Sequence, residues 1–493
     1  MRSNKISIAA LLLAFTALSA CDLRYPYEKP ETPPLPSAWD QSGGDETTPN
    51  AWPDKQWWAQ FKSPELTNFM QEALSANDDL AAAVDRVREA NAQVMIAGAP
   101  LLPTVDATAA GTRSTAPDKS RPPTRAYGKS FNAGVTASYE LDFWGKNRSA
   151  LNAQEALLSA NIYDKQTVLL TVTSSVATTY FDWLATRQRL DVAHENLAVS
   201  QRMLASLNRQ FQGGIVSRLD VAQQENVVAT VQAAIPPLEL EATQDRNALA
   251  ILLGRMPESM PEPEGKFNDL ALPKVPAGLP SQLLARRPDV LESEADLESA
   301  HASVNEARAA FFPSISLTST LDTASSALSN LLKPGSVLFS YGANLTQPIF
   351  HGGALSGQLE FAHAQEDEYT ANYHKAILNA FADTENALAA LQRTKEQDMA
   401  EAQAEKAAKD AFALSQRQFQ GGTIDILTEL NVQRSLFSAT DARVQTQLAH
   451  LNAIVGVYKA LGGGWVNHAA APERRYPSLK KMFGDSDAES HAE

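Results

Sequence analysis

Apolar and polar residues alternate along two pairs of segments, one pair in each half of the chain. Within 131–143 every odd position is apolar and every even position is polar or glycine, and 337–346 largely repeats this alternation. Weaker alternation precedes each segment, over 105–112 and 315–322. Because a period of two is typical of strands with two different faces, each half is predicted to supply a strand pair.

A period of seven follows the strand pair of the first half. Seven large apolar residues stand seven positions apart there, and a second, smaller row follows the first at a distance of three. The seven members are Leu169, Val176, Trp183, Leu190, Leu197, Leu204 and Phe211. The end of the second half repeats the spacing at Leu430, Phe437, Val444, Leu451 and Tyr458. Heptads predict long coiled-coil helices, and a helix over 146–210 would be roughly 100 Å long.

The hexapeptide Arg-Gln-Phe-Gln-Gly-Gly occurs twice, at 209–214 and at 417–422, displaced by 208 residues. A Leu-Gly pair follows each copy at the same distance, at 253–254 and 461–462. The chain is therefore an internal duplication. Each double glycine is predicted to end a long helix, with a returning helix from about 217–220, so that each half forms an antiparallel helix pair with the glycines at its tip. Pro236 and Pro237 predict a kink in the first returning helix.

The predicted organisation has six parts. They are a signal peptide at 1–20, a lipidated N-terminal segment and belt at 21–78, repeat one at 79–254, a belt linker at 255–288, repeat two at 289–462, and a C-terminal belt and tail at 463–493.

The N-terminal sequence has the pattern of a bacterial lipoprotein signal peptide. Arg2 and Lys5 precede an apolar run that ends in Leu-Ser-Ala-Cys at Cys21, which is the only cysteine of the chain. This pattern predicts acylation of Cys21 and excludes an internal disulfide. The full sequence has a net charge of −15, which becomes −17 without Arg2 and Lys5. Such acidity argues against nucleic acid as a partner.

The apolar run of the leader is too short to span a bilayer, and no later stretch approaches the required length. Entry into a membrane would therefore require strands, and a segment of thirteen alternating residues suits a tilted transmembrane strand. A soluble hairpin with one buried face is the alternative, and the lipoprotein signal favours the membrane. Four strands cannot close a membrane barrel, and open edges are forbidden in lipid. The pattern thus predicts an oligomer that shares one barrel.

Catalytic and metal-binding patterns are absent from the sequence. The eight histidines are scattered without metal-ligand spacing, and the glycine-rich stretch 352–357 lacks the lysine of a phosphate loop. We predict neither enzyme activity, nor a cofactor, nor a metal site.

Several ordered motifs resemble the outer-membrane factor family of tripartite efflux systems, the TolC superfamily, and within it the NodT-type lipoprotein branch. The resemblance covers nearly the whole chain after Cys21. Its markers are Tyr27, Pro30 and Trp39; Trp57, Trp58, Phe61 and Pro64; Tyr-Glu-Leu-Asp-Phe-Trp-Gly at 139–145; Arg-Arg-Pro-Asp-Val at 286–290; Ala-Arg-Ala at 307–309 with Phe312 and Pro313; and Gln-Pro-Ile-Phe at 347–350 with Gly352 and Gly353.

The resemblance implies a mainly α-helical fold with a membrane β-barrel. In it, long antiparallel coiled-coil helices form an α-helical barrel, and a homotrimer contributes four strands per chain to one 12-stranded transmembrane barrel. It also implies docking to a periplasmic adaptor protein and, through the adaptor, to an inner-membrane pump of the RND type. The chain would then be a passive exit duct for small molecules such as drugs, held in outer-membrane lipid by Cys21 with its helices in the periplasm.

The resemblance further assigns roles to the helix tips. Adaptor docking falls to Gly213, Gly214, Asp220, Gly421 and Gly422. The gate that closes the periplasmic end falls to Asp425, Leu427, Thr428, Glu429, Asn431 and Arg434. Relatives carry acids where this chain has Thr428 and Asn431, so Asp425 and Glu429 are the expected substitutes, with Leu427 as an apolar constriction and Arg434 as an ion-pair partner. The alternative is that these are ordinary capping and surface residues, since acids are common at helix starts.

Two other functions stay open from the sequence. The channel of a type I protein secretion system uses the same architecture. A structural periplasmic coiled-coil lipoprotein would explain the heptads and the lipid, although not the strand pairs. Asp22, directly after the acylated cysteine, is an inner-membrane retention signal in enteric bacteria, so we expect the barrel rather than the lipid to direct the protein to the outer membrane.

Overall fold

The computed structural model describes residues 25–31, 34, 36, 39–40, 54–117, 125–275 and 283–465. The predicted signal peptide, Cys21 and most of the C-terminal tail lie outside these residues. The first half contains α1 (Pro64–Ala76), α2 (Asp78–Gly98), β1 (Thr104–Pro117), β2 (Arg125–Leu141), α3 (Lys146–Gln212), α4 (Arg218–Ala233) and α5 (Ile235–Leu252). The second half contains α6 (Pro288–Ala309), β3 (Ser314–Ser325), β4 (Val337–Thr346), α7 (Ala354–Gln420) and α8 (Ile426–Ala460).

Two very long helices dominate the chain, and they have the same length. Helices α3 and α7 contain 67 residues each, which corresponds to about 100 Å at 1.5 Å per residue. Each begins after a glycine with positive φ, Gly145 at 76° and Gly353 at 87°. The predicted duplication and the predicted helix over 146–210 are thus confirmed.

The first returning helix is interrupted where the two prolines predicted it. Helix α4 ends at Ala233, and α5 begins at Ile235 with proline in its first positions. Proline lacks the amide that a helix interior needs. Helix α8 has no proline in its interior and runs unbroken for 35 residues.

The four strands form one antiparallel sheet in the order β1-β2-β3-β4. The register places Ser138 of β2 opposite Thr104 on one side and opposite Thr318 on the other. Strands β1 and β4 therefore each have a single neighbour within the described chain. The strands are 10 to 17 residues long. They lie at the four places where the alternation predicted them, and β1 and β3 extend beyond the alternating segments. All ten residues of β4 are exposed.

Strand β2 ends earlier than the alternation predicted. It stops at Leu141 instead of residue 143, although it starts at Arg125, before the alternating segment. The Asp142 carboxylate accepts hydrogen bonds from the Asn147 and Arg148 amides at 3.0 and 2.9 Å. Asp142 thus belongs to the start of α3, because it satisfies amides that the first helical turn leaves without partners.

The largest core surrounds the middle of α3. Trp57 stacks on Tyr458 with ring centroids 4.9 Å apart, and Phe61 packs on Phe181 at the same distance. Met260 and Phe267 of the linker join the same buried cluster. The N-terminal segment and the linker thus cover the long helices halfway along their length. Among the described residues, no helix combines the length and the hydropathy that a membrane crossing requires.

Candidate functional site at the helix tips

Two helix hairpins reach their tips at the double glycines. The first hairpin consists of α3 with α4 and α5, and the second consists of α7 and α8. At the first tip Gly214 has φ of 73°, and the Ile215 amide donates to the Gln210 carbonyl at 2.9 Å. At the second tip Gly422 has φ of 71°, and the Thr423 amide donates to the Gln418 carbonyl at 2.9 Å. Both tips are Schellman motifs, in which a left-handed residue lets the chain satisfy the last helical carbonyls.

Each returning helix begins with a side-chain cap at the equivalent position. The Ser217 hydroxyl accepts from the Asp220 amide at 3.2 Å, and the Asp220 carboxylate accepts from the Ser217 amide at 2.8 Å. In the second hairpin Asp425 accepts from the Thr428 amide at 2.8 Å. Hydrogen bonds from Thr428 lower the pKa of Asp425 below its usual value. The structure therefore places Asp220 and Asp425 in capping roles, which does not prevent their outer faces from meeting a partner.

Three of the residues expected at the gate share one exposed face of α8. Leu427, Asn431 and Arg434 follow one another at spacings of four and three, which puts them on the same side of a helix. All three are exposed, as is Thr428, and Leu427 is 51 % exposed. Among the described residues of one chain, Arg434 has no ion-pair partner.

Glu429 does not lie on this exposed face of α8. Its side chain is fully buried on the opposite side of α8, where Leu430 and Gln433 are buried too. A carboxylate in that position does not reach the exposed face of Leu427 and Asn431. The expectation that Glu429 substitutes for an acid of an exposed ring is therefore corrected, since the packing of the hairpins takes this side chain inside.

The two hairpins pack on each other just behind their tips. Leu207 of α3, Val221 and Val227 of α4, and Ile426 and Leu430 of α8 form one buried cluster. The predicted heptad row on α3 runs beside this contact, because Leu204 is only half-buried while Leu207, from the second row, is fully buried. On α8 the predicted row holds better: Leu430, Val444, Leu451 and Tyr458 are buried.

Sequence reasoning missed the polar residues that lie next to this cluster. Ser200 of α3, Gln224 of α4, Ser415 of α7 and Gln433 of α8 are all buried with Glu429. Only Ser200 carried a signal, as a polar member of the second heptad row. The sequence also missed how apolar the first tip is, with Ile215 76 % and Leu219 65 % exposed.

Acidic side chains gather on α3 and the helices beside it, well behind the tips. Burial raises the pKa of Asp182, and it raises the pKa of Asp245 to about 6, with the neighbouring Asp182 and Glu241 adding to the shift. Arg189 lies between the helices there and pairs with Asp441 at 2.7 Å. The described residues contain no group of His, Cys, Asp and Glu that could hold a metal ion.

The first described residues of the chain run along the second half of the molecule. The Tyr25 amide donates to the Asn305 side chain at 3.1 Å, and Asn305 donates back to the Tyr25 carbonyl at 3.1 Å. The Arg308 guanidinium lies 3.9 Å from the centre of the Tyr25 ring. Lys29 pairs with Glu294 at 2.6 Å. Tyr25 is thereby fixed at the end of α6 that leads into β3.

Comparison with known proteins agrees with this architecture. The sequence model described as outer membrane efflux protein matches residues 69–255 and 279–463. The pyoverdine export outer membrane protein OpmQ of Pseudomonas aeruginosa is 40 % identical over 83 % of this chain and 88 % of its own length. The solvent efflux pump outer membrane protein SrpC of Pseudomonas putida is 34 % identical over 94 % of this chain and 99 % of its own. The CmeC outer membrane channel of Campylobacter jejuni superposes with a TM-score of 0.86 at 26 % identity, covering 92 % and 97 % of the two chains. The duplicated helix hairpins, the four-stranded sheet and these matches show that the chain belongs to the outer membrane efflux protein family.

Proposed function

We propose that three copies of this chain form the passive exit duct of a tripartite efflux pump. The observation that carries the proposal is the sheet. A single chain supplies four strands and leaves β1 and β4 without a second neighbour within the described residues. In lipid every backbone polar group needs a partner, so the two free edges have to be joined to other strands.

Three chains supply twelve strands, which satisfies the need for a closed membrane barrel. Strand β4 presents large apolar side chains to its surroundings, with Phe339 65 % and Tyr341 83 % exposed. Such residues suit contact with lipid or with the edge of a neighbouring chain. The hairpins of the three chains then continue the barrel as a helical tunnel on the periplasmic side.

The tips are the proposed docking points for a periplasmic adaptor protein, which connects the duct to an inner-membrane pump of the RND type. Gly213, Gly214 and Asp220 define the first tip, and Gly421 and Gly422 define the second. The exposed Ile215 and Leu219 support a docking role at the first tip, because large apolar side chains that no neighbour covers are typical of interaction surfaces.

The second tip is the proposed periplasmic gate. Leu427, Thr428, Asn431 and Arg434 lie exposed at the start of α8. In a trimer the Leu427 side chains form the apolar constriction and Arg434 pairs with an acid of the next chain. Asp425 contributes by capping α8 and so by fixing the direction in which this face points.

The lipid anchor is a further part of the proposal. Three residues separate Cys21 from Tyr25, and the four Cα–Cα steps between them span at most about 14 Å. Since Tyr25 is held at the end of α6 next to β3, an acylated Cys21 is kept close to the membrane end of the helices. Acyl chains there reinforce the hold of the barrel on the outer membrane.

The cargo is proposed to be small molecules. Relatives are named for export of pyoverdine and of solvents, which favours small molecules over polypeptides as the cargo. The chain performs no chemistry in this proposal, since the pump supplies the energy.

The test combines assembly, conductance and transport in a strain that lacks the gene. We expect heat-modifiable trimers in the outer membrane, channel conductance in planar bilayers, and restored resistance to a panel of dyes, antibiotics and solvents. A Cys21→Ser variant should still form trimers but in lower amount. Monomeric protein without conductance would refute the shared barrel, and restored secretion of a polypeptide without any change in resistance would favour the type I system instead.

A further inference from the structure

A layer of polar side chains is buried between the two hairpins, next to the apolar cluster behind the tips. All four helices contribute to it: Ser200 from α3, Gln224 from α4, Ser415 from α7, and Glu429 and Gln433 from α8. None of these side chains is more than 5 % exposed. Gln433 donates to the Ser200 hydroxyl at 3.2 Å, and Gln224 donates to the Ser200 carbonyl at 2.8 Å.

The layer has more acceptors than it can satisfy. Both carboxylate oxygens of Glu429 and the amide oxygens of Gln224 and Gln433 are buried without a hydrogen-bond partner among the described residues. The Ser415 hydroxyl favours the charged form of Glu429, but it donates its own hydrogen bond to the Phe412 carbonyl at 3.0 Å. What the layer lacks is a donor, and an ionised carboxylate supplies none.

The internal duplication provides a reference for these positions. At the displacement of 208 residues, Leu207 stands where Ser415 stands, and Val221 stands where Glu429 stands. Leu207 and Val221 are both fully buried and belong to the apolar cluster. The hairpin fold therefore accepts two apolar residues at these equivalent positions. Packing alone does not require a glutamate at position 429 of the second hairpin.

The charges nearby do not pair with Glu429. Burial raises the pKa of Glu429, and no charged neighbour contributes to the shift. The charged residues of the surrounding helix segments lie at least partly exposed on the outside, namely Arg202 and Arg209 on α3, Arg218, Asp220 and Glu225 on α4, Asp410 and Arg417 on α7, and Asp425 and Arg434 on α8.

We propose that Glu429 is a proton-dependent switch in the packing of the two hairpins. As a neutral acid it donates its proton toward an unsatisfied acceptor such as the amide oxygen of Gln433, one helical turn away. As a carboxylate it is a buried charge without a partner, which the packed state disfavours. Loss of the proton thus loosens α8 from α3 and α7 behind the second tip. The effect on the channel rests on the proposed gate, whereas the switch itself does not.

The sign of the pH dependence follows from the raised pKa. The packed layer binds the proton more tightly than the unfolded chain does, so its stability is complete below the ordinary glutamate pKa of about 4.3. Above that value the equilibrium constant for forming the packed layer decreases about tenfold per pH unit, until the pH passes the raised pKa of Glu429 in the folded protein.

The test is hydrogen exchange of the full-length protein in lipid nanodiscs between pH 4.5 and 8, corrected for the intrinsic exchange rate. Protection of peptides covering 410–435 is divided by protection of peptides covering 202–227, which contain the Leu207 and Val221 reference. We expect this ratio to fall with rising pH in the wild type. It should stay constant in Glu429→Gln, which keeps the shape and always carries a donor, and in Ser415→Leu with Glu429→Val, which copies the first hairpin.

Two results would overturn the switch. One is a ratio independent of pH in the wild type, and the other is a pH dependence that survives in both variants. Conductance of the same proteins in planar bilayers separates the switch from the gate. If the exchange ratio follows pH while conductance does not, the switch is supported and the gate at the second tip is refuted.

Discussion

The two glycines of each tip have different backbone conformations, and substitution should therefore affect them differently. Gly213 and Gly421 are right-handed, with φ of −80° and −81°. A Cβ atom at either would meet the nearest atom at 3.5 Å and 3.4 Å, respectively, which is ordinary contact or close to it. Gly214 and Gly422 are left-handed, and a Cβ atom there would meet nothing within 4 Å.

In the isolated chain, substitution of the second glycine of a tip therefore costs only the free energy of holding an ordinary residue in the left-handed region of the backbone. The left-handed region costs an ordinary L-residue about 1–2 kcal/mol, which corresponds to roughly a 5- to 30-fold loss of the native tip conformation. Alanine at the first glycine pays no such cost and should be nearly neutral. If substitution of the second glycine lowers efflux by more than about 30-fold, the additional loss must come from a partner that approaches the tip closely.

We expect Gly214→Val and Gly422→Val to abolish efflux while trimers still assemble. Gly214→Ala and Gly422→Ala should show partial loss, and Gly213→Ala and Gly421→Ala should behave as the wild type. Trimer amount is measured by heat-modifiable mobility in membrane fractions. Efflux is measured as dye accumulation in a strain lacking the gene, and adaptor affinity is measured with purified protein.

Asparagine distinguishes strain from docking, because it tolerates the left-handed region better than other side chains do. Gly214→Asn should fold like the wild type and lose adaptor affinity if the partner needs the open space. Normal efflux by the valine variants at wild-type trimer levels would refute a docking role for the tips. Equal losses in the Gly213→Ala and Gly421→Ala controls would refute the conformational reasoning.

Four further predictions concern the gate, the two caps and the core. Leu427→Ala or Arg434→Ala should raise single-channel conductance in planar bilayers, while alanine at the equivalent leucine of the first tip should not; unchanged conductance in both gate variants would refute the assignment. Ser217→Ala removes the cap of α4 and should lower local stability by about 1 kcal/mol, seen as faster amide exchange confined to the first turn of that helix. Because hydrogen bonds lower the pKa of Asp425, its cap on α8 is complete above about pH 3.9 and is lost as the pH falls through the lower folded value. Exchange in the first turn of α8 should therefore accelerate at that acidic end, separately from the change at higher pH expected of Glu429, and Asp425→Asn should remove the acidic dependence alone. Gly254→Ala should abolish assembly, measured as trimer yield, because φ is 67° and a Cβ atom would overlap the carbonyl oxygen at the end of α1.

Local patterns predicted the large elements well. Strand alternation, heptads, the double glycines and the paired prolines each depend on neighbours in sequence, and each led to an element or a break at the predicted place, although β1, β2 and β3 are longer than their alternating segments. The exception at β2 is instructive, because alternation continues through Asp142 and Phe143 although the strand has ended. Asp142 is drawn to the free amides of α3 instead, and alternation does not report such a competition.

The candidate site was less predictable. The face that carries Leu427, Asn431 and Arg434 could be deduced from helical spacing, but the burial of Glu429 could not. Whether a polar residue of α8 is buried depends on the axial register in which one hairpin packs against the other. No local sequence pattern specifies that register. Gln224 and Gln433 meet at Ser200 only because that position is fixed by the whole fold.

The equal length of α3 and α7 restricts how this chain can change in evolution. One residue inserted into either helix would raise its tip by about 1.5 Å and rotate it by about 100°, so that the tips would no longer end at one level and the buried faces would turn away. Insertions and deletions are therefore expected to occur in matched numbers in both halves, or in the loops at the opposite end. A comparison of related chains should find the lengths of the two helices varying together, even where their sequences have diverged.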